Sequence, residues 1–137
     1  MPLPETDLTT TFKITLKEPN IILEFLENVD TVQANVDQAW LITKKIRQII
    51  ESKDQNSNLL IDLSRLKTSA HYPSPQARKI YADSIDHPKI DKIAVITPSP
   101  ILKAIISFTL NNATKNQKYI QSFSDRQTAE EWLEFQK

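Results

Sequence analysis

The chain has 137 residues, the length of one ordinary domain, and 39% of them are hydrophobic and 25% charged. Its 17 basic and 17 acidic side chains cancel, so no net charge attracts it to nucleic acid or to an anionic membrane. The absence of cysteine excludes disulfides and cysteine metal sites, and the absence of glycine excludes the glycine-rich loops that bind dinucleotides and phosphates and the GxSxG nucleophile elbow.

The N-terminal part is predicted to be a short arm followed by a hairpin. Residues 1–11 lack the basic start and apolar centre of a signal peptide, so we expect a disordered arm. Residues 12–17 alternate apolar and polar side chains, as a half-buried strand does, and 21–26 form a second apolar run after the turn residues 18–20. We therefore expect a single domain over residues 12–137.

The next segment changes to a helical period and then returns to a strand. Apolar residues recur at three- and four-residue steps from Val36, with Asn35 as the expected N-cap and Trp40 on the inner side. With no glycine to end the helix, Asn56 is the expected stop. Residues 59–63 then form a short apolar strand, typical of one covered on both faces.

Three more helix and strand signals complete the chain. Ser74-Pro75 and Ser99-Pro100 each place a capping hydroxyl before a proline, which predicts helix starts. Residues 91–97 and 119–123 are apolar strands, and the spacing of Ser124 and Gln127 predicts a capping box before a last helix. A further helix is predicted over residues 101–110. It contains no apolar run long enough to span a membrane.

The order of elements, ββαβαβαβα, predicts an α/β fold. Helices that alternate with strands favour parallel pairing through crossovers, and the N-terminal hairpin adds an antiparallel edge. We expect one mixed, mostly parallel sheet of five strands with about four helices.

Three ordered segments resemble a known family. They are "LLIDLS" at a strand end, "DKIAVITPSP" before an apolar helix, and the closing "FSDRQTAEEWL". Their order and spacing resemble the STAS domain of anti-sigma factor antagonists, and more closely small bacterial proteins with a SpoIIAA-like fold. The resemblance spans about residues 12–133. It implies a non-enzymatic regulatory module that binds other proteins.

The chain departs from the phosphorylated members of that family. Those members have an Asp-Ser-Ser-Gly segment soon after the strand end, and this chain has Ala70-His71-Tyr72-Pro73 there. Phosphorylation control is therefore not carried over. We expect Ser74 to act as a structural N-cap.

The polar residues around the predicted strand ends form the candidate site. Ligands of open α/β sheets collect at the carboxyl ends of strands, so Asp62 could bind a ligand, but the favoured interpretation is that its oxygens accept N–H groups of the following turn. A triad of Ser69, His71 and Asp62 lacks an oxyanion device, so we expect no enzyme activity. The candidate protein- or ligand-binding residues are Asp62, Ser64, Thr68, Ser69, His71, Tyr72, Ser74, Thr97 and Ser99.

The expected function is binding of a regulatory protein partner through the loop of residues 64–74. With eleven residues, this largely polar loop is longer than the usual connection of two to six. The alternative is a small lipophilic-ligand or anion-binding protein, since related folds include lipid-binding CRAL-TRIO domains. We expect no metal and no cofactor, no binding to nucleic acid or membrane, and a cytoplasmic location, which the lack of cysteine fits.

The predicted helix over 101–110 is apolar around most of its circumference, more than packing on one sheet requires. Neighbouring helices of the same domain could cover the excess apolar surface. Otherwise, Ile106 and Leu110 are the side chains expected to contact a partner or a second copy of the chain. Ile106→Asp or Leu110→Asp should weaken that association without unfolding the protein, which sedimentation velocity and circular dichroism would measure. Burial of both side chains inside one monomer would contradict this prediction.

Overall fold

The computed structural model describes residues 8–27, 31–65, 75–97 and 119–134. The strands are β1 (Phe12–Lys17), β2 (Asn20–Phe25), β3 (Ser57–Asp62), β4 (Ile90–Ile96) and β5 (Tyr119–Phe123). The helices are α1 (Val32–Glu51), α2 (Pro75–Ile85) and α3 (Arg126–Glu134). The helix predicted over 101–110 lies outside the described residues. No helix in the described ranges is long and apolar enough to cross a membrane.

The five strands form one sheet in the order β1-β2-β3-β4-β5. β1 pairs antiparallel with β2, and the remaining neighbours are parallel. The predicted mixed, mostly parallel sheet with an antiparallel edge is confirmed. Because β2, β3 and β4 follow one another in one direction, right-handed crossovers require the connecting helices to lie on one face.

That face, which we name the α1 face, carries the larger core. Helices α1 and α2 pack beside each other there, and the ring of Tyr81 meets Phe25 edge-on, with centroids 6.1 Å apart. Burial in this layer raises the pKa of the Tyr81 phenol, so the ring stays neutral. The buried strand residues on the α1 face include Ile21, Leu23, Phe25, Leu59, Ile93 and Val95.

The opposite face, which we name the α3 face, is covered by a single short helix among the described residues. Ala129 and Leu133 are almost completely buried, and Trp132 packs against Phe123 with ring centroids 5.5 Å apart. The small side chain of Ala129 lets the helix lie close to the sheet. The strand residues in this second core are Ile22, Leu60, Ala94, Ile96 and Phe123.

The ordered domain begins before the predicted boundary at residue 12. Leu8 is only 3% exposed and belongs to the core of the α1 face. Gln38 of α1 donates to the Thr11 hydroxyl (2.8 Å), which in turn donates to the Leu8 carbonyl. Residues 8–11, expected in the disordered arm, are therefore held against the fold by one apolar side chain and a buried hydrogen-bond chain.

Helix α1 begins four residues before the predicted start. Its N-cap is Thr31, whose hydroxyl accepts from the Ala34 N–H at 3.0 Å, so the expected N-cap Asn35 lies inside the helix. The helix ends at Glu51, and the N–H of Ser52 donates to the Gln48 carbonyl at 3.2 Å. Ser52 has ordinary right-handed geometry (φ −83°), so this helix ends without a left-handed residue and the expected stop at Asn56 was wrong.

The expected burial of Trp40 was also wrong. Trp40 is 62% exposed, whereas Ala39 and Ile42 are completely buried. The buried side of α1 includes residues that recur every three or four positions, together with one neighbour. They are Gln38, Ala39, Ile42, Ile46 and Ile50. The earlier start of the helix at Val32 does not change which side of α1 faces the core. Trp40 therefore points outward whichever residue begins the helix.

A polar network fastens the C-terminal end of α3 to the amino ends of the strands. The Asn58 amide donates to the Asn20 Oδ1 (3.2 Å), and its own oxygen accepts from the Lys92 N–H (3.3 Å). The Lys92 ammonium donates to the Trp132 carbonyl (3.3 Å) and lies 5.3 Å from the Trp132 ring centroid. Asn58, itself buried, therefore bonds partly buried groups on the two neighbouring strands, and its amide also donates to the buried Leu133 carbonyl at 3.5 Å.

Asn58→Ala should lower the free energy of unfolding by about 1–3 kcal/mol, because it leaves buried polar partners unsatisfied. Asn56→Ala is the matched control. Asn56 is exposed and donates to the Asp91 carboxylate at 2.9 Å, so the change should stay within about 0.5 kcal/mol. Urea unfolding followed by circular dichroism measures both variants. Equal losses would show that the network contributes no more than a surface hydrogen bond.

Candidate functional site

The carboxyl ends of β2, β3, β4 and β5 meet at one edge of the sheet, because these strands are parallel. The register pairs Glu24 of β2 with Asp62 of β3, and Asp62 with Ile96 of β4. Ser64 follows β3 and Thr97 follows β4 at the same edge. The structure thus places Asp62, Ser64 and Thr97 near the same group of strand ends.

The carboxylate of Asp62 closes the turn that follows β3. Its Oδ1 accepts from the Ser64 N–H (2.9 Å) and from the Ser64 hydroxyl (2.6 Å). This is the local arrangement that a short acidic side chain makes at the start of a turn. One of the two oxygens of Asp62 is therefore engaged in fixing the direction in which the chain leaves the sheet.

The other oxygen of Asp62 faces an arginine that the sequence analysis did not identify. The Arg126 Nη1 lies 3.3 Å from the Glu24 Oε2 and 3.8 Å from the Asp62 Oδ2, and its Nε lies 2.7 Å from the Glu130 Oε2. One guanidinium thus contacts three carboxylates. The hydrogen bond to Glu130 is the main cause that raises the pKa of Arg126, and the charges of Glu24 and Asp62 act in the same direction.

Arg126 is held in place because it is the first residue of α3. The Asp125 carboxylate caps this helix, accepting from the Thr128 N–H (2.8 Å) and hydroxyl (3.0 Å). The N-cap is thus Asp125, one residue after the predicted Ser124. The hydrogen bonds from Thr128 lower the pKa of Asp125 below 3.8, so this cap stabilises the fold above that pH and is lost as the pH falls through the lowered pKa.

Backbone hydrogen bonds continue the sheet past the strand ends. The Leu63 N–H donates to the Ile96 carbonyl (2.8 Å), and the Thr97 N–H donates to the Phe123 carbonyl (3.1 Å). Both Leu63 and Thr97 are buried. The candidate site therefore stands on a fixed base, and exposure begins only at Ser64 and Arg65.

Most of the predicted site residues lie outside the described part of the chain. Those that lie outside the described residues are Thr68, Ser69, His71, Tyr72, Ser74 and Ser99, together with Ile106 and Leu110 of the predicted interface helix. The triad of Ser69, His71 and Asp62 has only its acid in the described part.

In the described arrangement, one guanidinium offsets part of the negative charge of three carboxylates. Asp62 is engaged by Ser64 and Arg126, and Glu24 shares the same guanidinium. Within the described ranges, no group of three or more histidine, cysteine or acidic side chains could hold a metal ion.

A sequence signal for this cluster does exist. Glu24 and Asp62 are the single acids of β2 and β3, each near the end of its strand, and burial of such acids favours a cation beside them. The signal becomes specific only when β2 and β3 are known to be adjacent and in register. Arg65 and Arg126 are then the candidate cations, each three residues after the end of a strand, and only the tertiary structure selects Arg126.

Arg126→Met should reduce the free energy of unfolding. Loss of one partner from a buried ion pair costs about 3–5 kcal/mol. The Arg126 side chain is 37% exposed, and solvent screening should reduce the cost to about 1–3 kcal/mol. The double variant Glu24→Gln, Arg126→Met should recover part of the loss because the repulsion between Glu24 and Asp62 is removed. Urea unfolding at neutral pH tests this, and an additive double variant would contradict it.

Comparison with known proteins gives a family and a fold. The SpoIIAA-like family model matches residues 22–134. No curated protein matches the chain. The crystal structure of an uncharacterised protein from Shewanella loihica PV-4 with a SpoIIAA-like fold superposes with a TM-score of 0.62 and 14% identity, covering 89% of this chain and 91% of that one. The family match spans β3, β4 and β5 and the whole Arg126 cluster, and the chain belongs to the SpoIIAA-like family.

Proposed function

We propose that the protein is a non-enzymatic regulatory module that binds another protein. The binding surface is formed by residues 64–74 and the adjoining helix ends at the carboxyl edge of the sheet. Family membership over residues 22–134 supports a module of the SpoIIAA-like kind. The resemblance to anti-sigma factor antagonists supports a regulatory role, since those domains act by binding other proteins.

The observation that carries this proposal is the engagement of the carboxylates at the strand ends. A general acid or base needs a carboxyl group free to exchange a proton with a substrate. Asp62 is held by the backbone and hydroxyl of Ser64 and by Arg126 instead. The engagement of Asp62 supports a non-enzymatic role for this edge.

The same contacts suit a binding surface. Functional loops act best when a rigid scaffold positions them. Leu63 is buried and hydrogen-bonded to β4, and the next two residues, Ser64 and Arg65, are exposed. The change from a buried strand to exposed polar residues within two positions presents the start of the loop in a defined direction.

The binding needs no phosphoserine switch. The segment that carries the switch in relatives is replaced by Ala70-His71-Tyr72-Pro73. Ser74, the nearest hydroxyl before α2, precedes a proline at the first helical position, where a capping role is typical. The unphosphorylated protein is therefore the form expected to bind.

Arg65→Glu should abolish capture of the partner, because it reverses a charge at the start of the loop while leaving the core intact. Lys17→Glu is the matched control. Lys17 is also exposed, but it pairs with Asn20 at the opposite end of β2. Immobilised wild-type protein and both variants would be exposed to lysate of the native cells, and captured proteins compared by quantitative mass spectrometry.

The expected result is a protein captured by the wild type and by Lys17→Glu but reduced at least about tenfold with Arg65→Glu, a loss equivalent to about 1.4 kcal/mol. Equal capture by all three would contradict the proposed surface. Native mass spectrometry of the purified protein tests the ligand-binding alternative. A retained lipid or anion, with no partner dependent on Arg65, would replace the proposal by that alternative.

A further inference from the structure

The outer side of α1 carries apolar side chains that the described part of the fold does not cover. Trp40 and Val32 are each 62% exposed. Successive helix residues are separated by about 100°, so Trp40 points about 200° away from Ile42, which is completely buried. Trp40 thus stands near the middle of the solvent side, and Val32, eight residues earlier, lies about 80° from it around the helix.

Charged residues flank Trp40 in a definite order. Asp37 precedes it by nearly one turn, and Lys44 and Arg47 follow it by about one and two turns. The Gln33 amide donates to the Asp37 Oδ1 at 2.8 Å, which holds that carboxylate along the outer side of the helix. The order along the helix is therefore acid, tryptophan, base, base.

We propose that a second copy of the chain packs antiparallel against this surface, with a two-fold axis at Trp40. In such a pair, the two Trp40 rings lie together, and residues one turn before Trp40 meet residues one turn after it in the second copy. Each Asp37 then lies beside Lys44 of the other copy, and the contact occurs twice by symmetry. The surface is complementary to itself.

Charge favours a second copy over a strongly acidic or basic partner. Within about 60° of Trp40 around the helix, the exposed or half-exposed charged side chains are Asp37, Lys44, Arg47 and Glu51, two acids and two bases. A surface without net charge gives no long-range attraction to a highly charged molecule. Its order of charges instead sets the register between two like helices, which is the role of charged pairs at an interface.

The size of the surface indicates a weak dimer. Helix α1 has 20 residues and is about 30 Å long. A single helix pair of that length buries less than the roughly 800 Å² per partner of a stable interface. Dimerisation is therefore expected only at high concentration, with Trp40 as the central aromatic anchor. This inference does not rest on the proposed function, whose surface lies at the carboxyl edge of the sheet.

Sedimentation equilibrium over protein concentrations from about 1 µM to 1 mM measures the association. The wild type should form dimers at the upper end, and Trp40→Ser should weaken association at least about tenfold. Leu16→Ser, which removes another exposed apolar side chain, on β1, should leave this contact unchanged. Wild-type protein that remains monomeric throughout, or a Trp40→Ser variant that associates like the wild type, would overturn the inference.

A pair of charge reversals tests the antiparallel arrangement. Asp37→Lys and Lys44→Asp should each be monomeric, because each brings like charges together twice. An equimolar mixture of the two variants should form heterodimers. In the mixed pair, the lysine introduced at position 37 of one variant meets the aspartate introduced at position 44 of the other, and the two unchanged side chains also meet as opposite charges. Failure of the mixture to associate, when the wild type does, would refute the arrangement.

Fluorescence provides an independent measurement on the folded protein. The chain has two tryptophans, so Trp132→Phe leaves Trp40 as the single emitter. Its emission should shift to shorter wavelength as concentration rises, since dimerisation removes the indole from water. An emission maximum independent of concentration in a range where sedimentation shows dimers would place the interface elsewhere and refute the role of Trp40.

Discussion

All four residues of β4 from Ile93 to Ile96 are buried, although successive side chains of a strand point to opposite faces of the sheet. Both faces must therefore be covered. Helices α1 and α2 cover one face, and on the other face the described cover is α3, a helix of nine residues. A helix this short is not stable alone, so its stability must come from its contacts with the sheet.

The contacts of α3 follow from this requirement. Beneath α3, the side chains of the strands change from polar (Asn58, Lys92) at the amino ends, through apolar (Leu60), to charged (Glu24, Asp62) at the carboxyl ends. The helix presents matching groups in the reverse order. The carbonyl of Trp132 meets the polar row, Ala129 and Leu133 belong to the same core as the apolar row, and Arg126 meets the charged row. The helix is thus antiparallel to the strands, fastened by hydrogen bonds at one end and by ion pairs at the other.

This use of the carboxyl edge limits what the edge can do. In α/β sheets the carboxyl ends of strands are the usual place for ligands, and two acids lie there in this protein. Both contact Arg126 at the start of α3, and Asp62 also fixes the turn at Ser64. A single cluster therefore connects the start of the last helix to the turn that follows β3.

The long helix α1 and the short helix α3 use their surfaces differently. Helix α1 packs through a broad stripe that includes Ile42, Ile46 and Ile50, and its stability does not require its outer residues. An exposed tryptophan there contributes little to folding, while it offers a large, rigid apolar area to another molecule. On the α3 face, Arg126 and Lys92 hold the last helix to the strands, whereas the outer side of α1 is exposed among the described residues.

The sequence by itself determined the order of the described elements, the strand positions within one or two residues and the mostly parallel sheet with its antiparallel edge, because hydrophobic period and turn chemistry are local. It also indicated that Asp62 would close a turn, which needs only the next two residues. It did not determine where α1 begins, since Thr31 and Asn35 are both good N-caps. Only the burial of Ala34 against the core selects Thr31. Likewise, Trp40 fits the apolar period of the helix, so the sequence indicated a buried side chain. Only the direction in which α1 packs on the sheet places Trp40 on the solvent side. The Arg126 cluster was decided by tertiary structure alone, because an ion pair among Glu24, Asp62 and Arg126 joins residues separated by 38 and 64 positions, and their proximity depends on strand order and register.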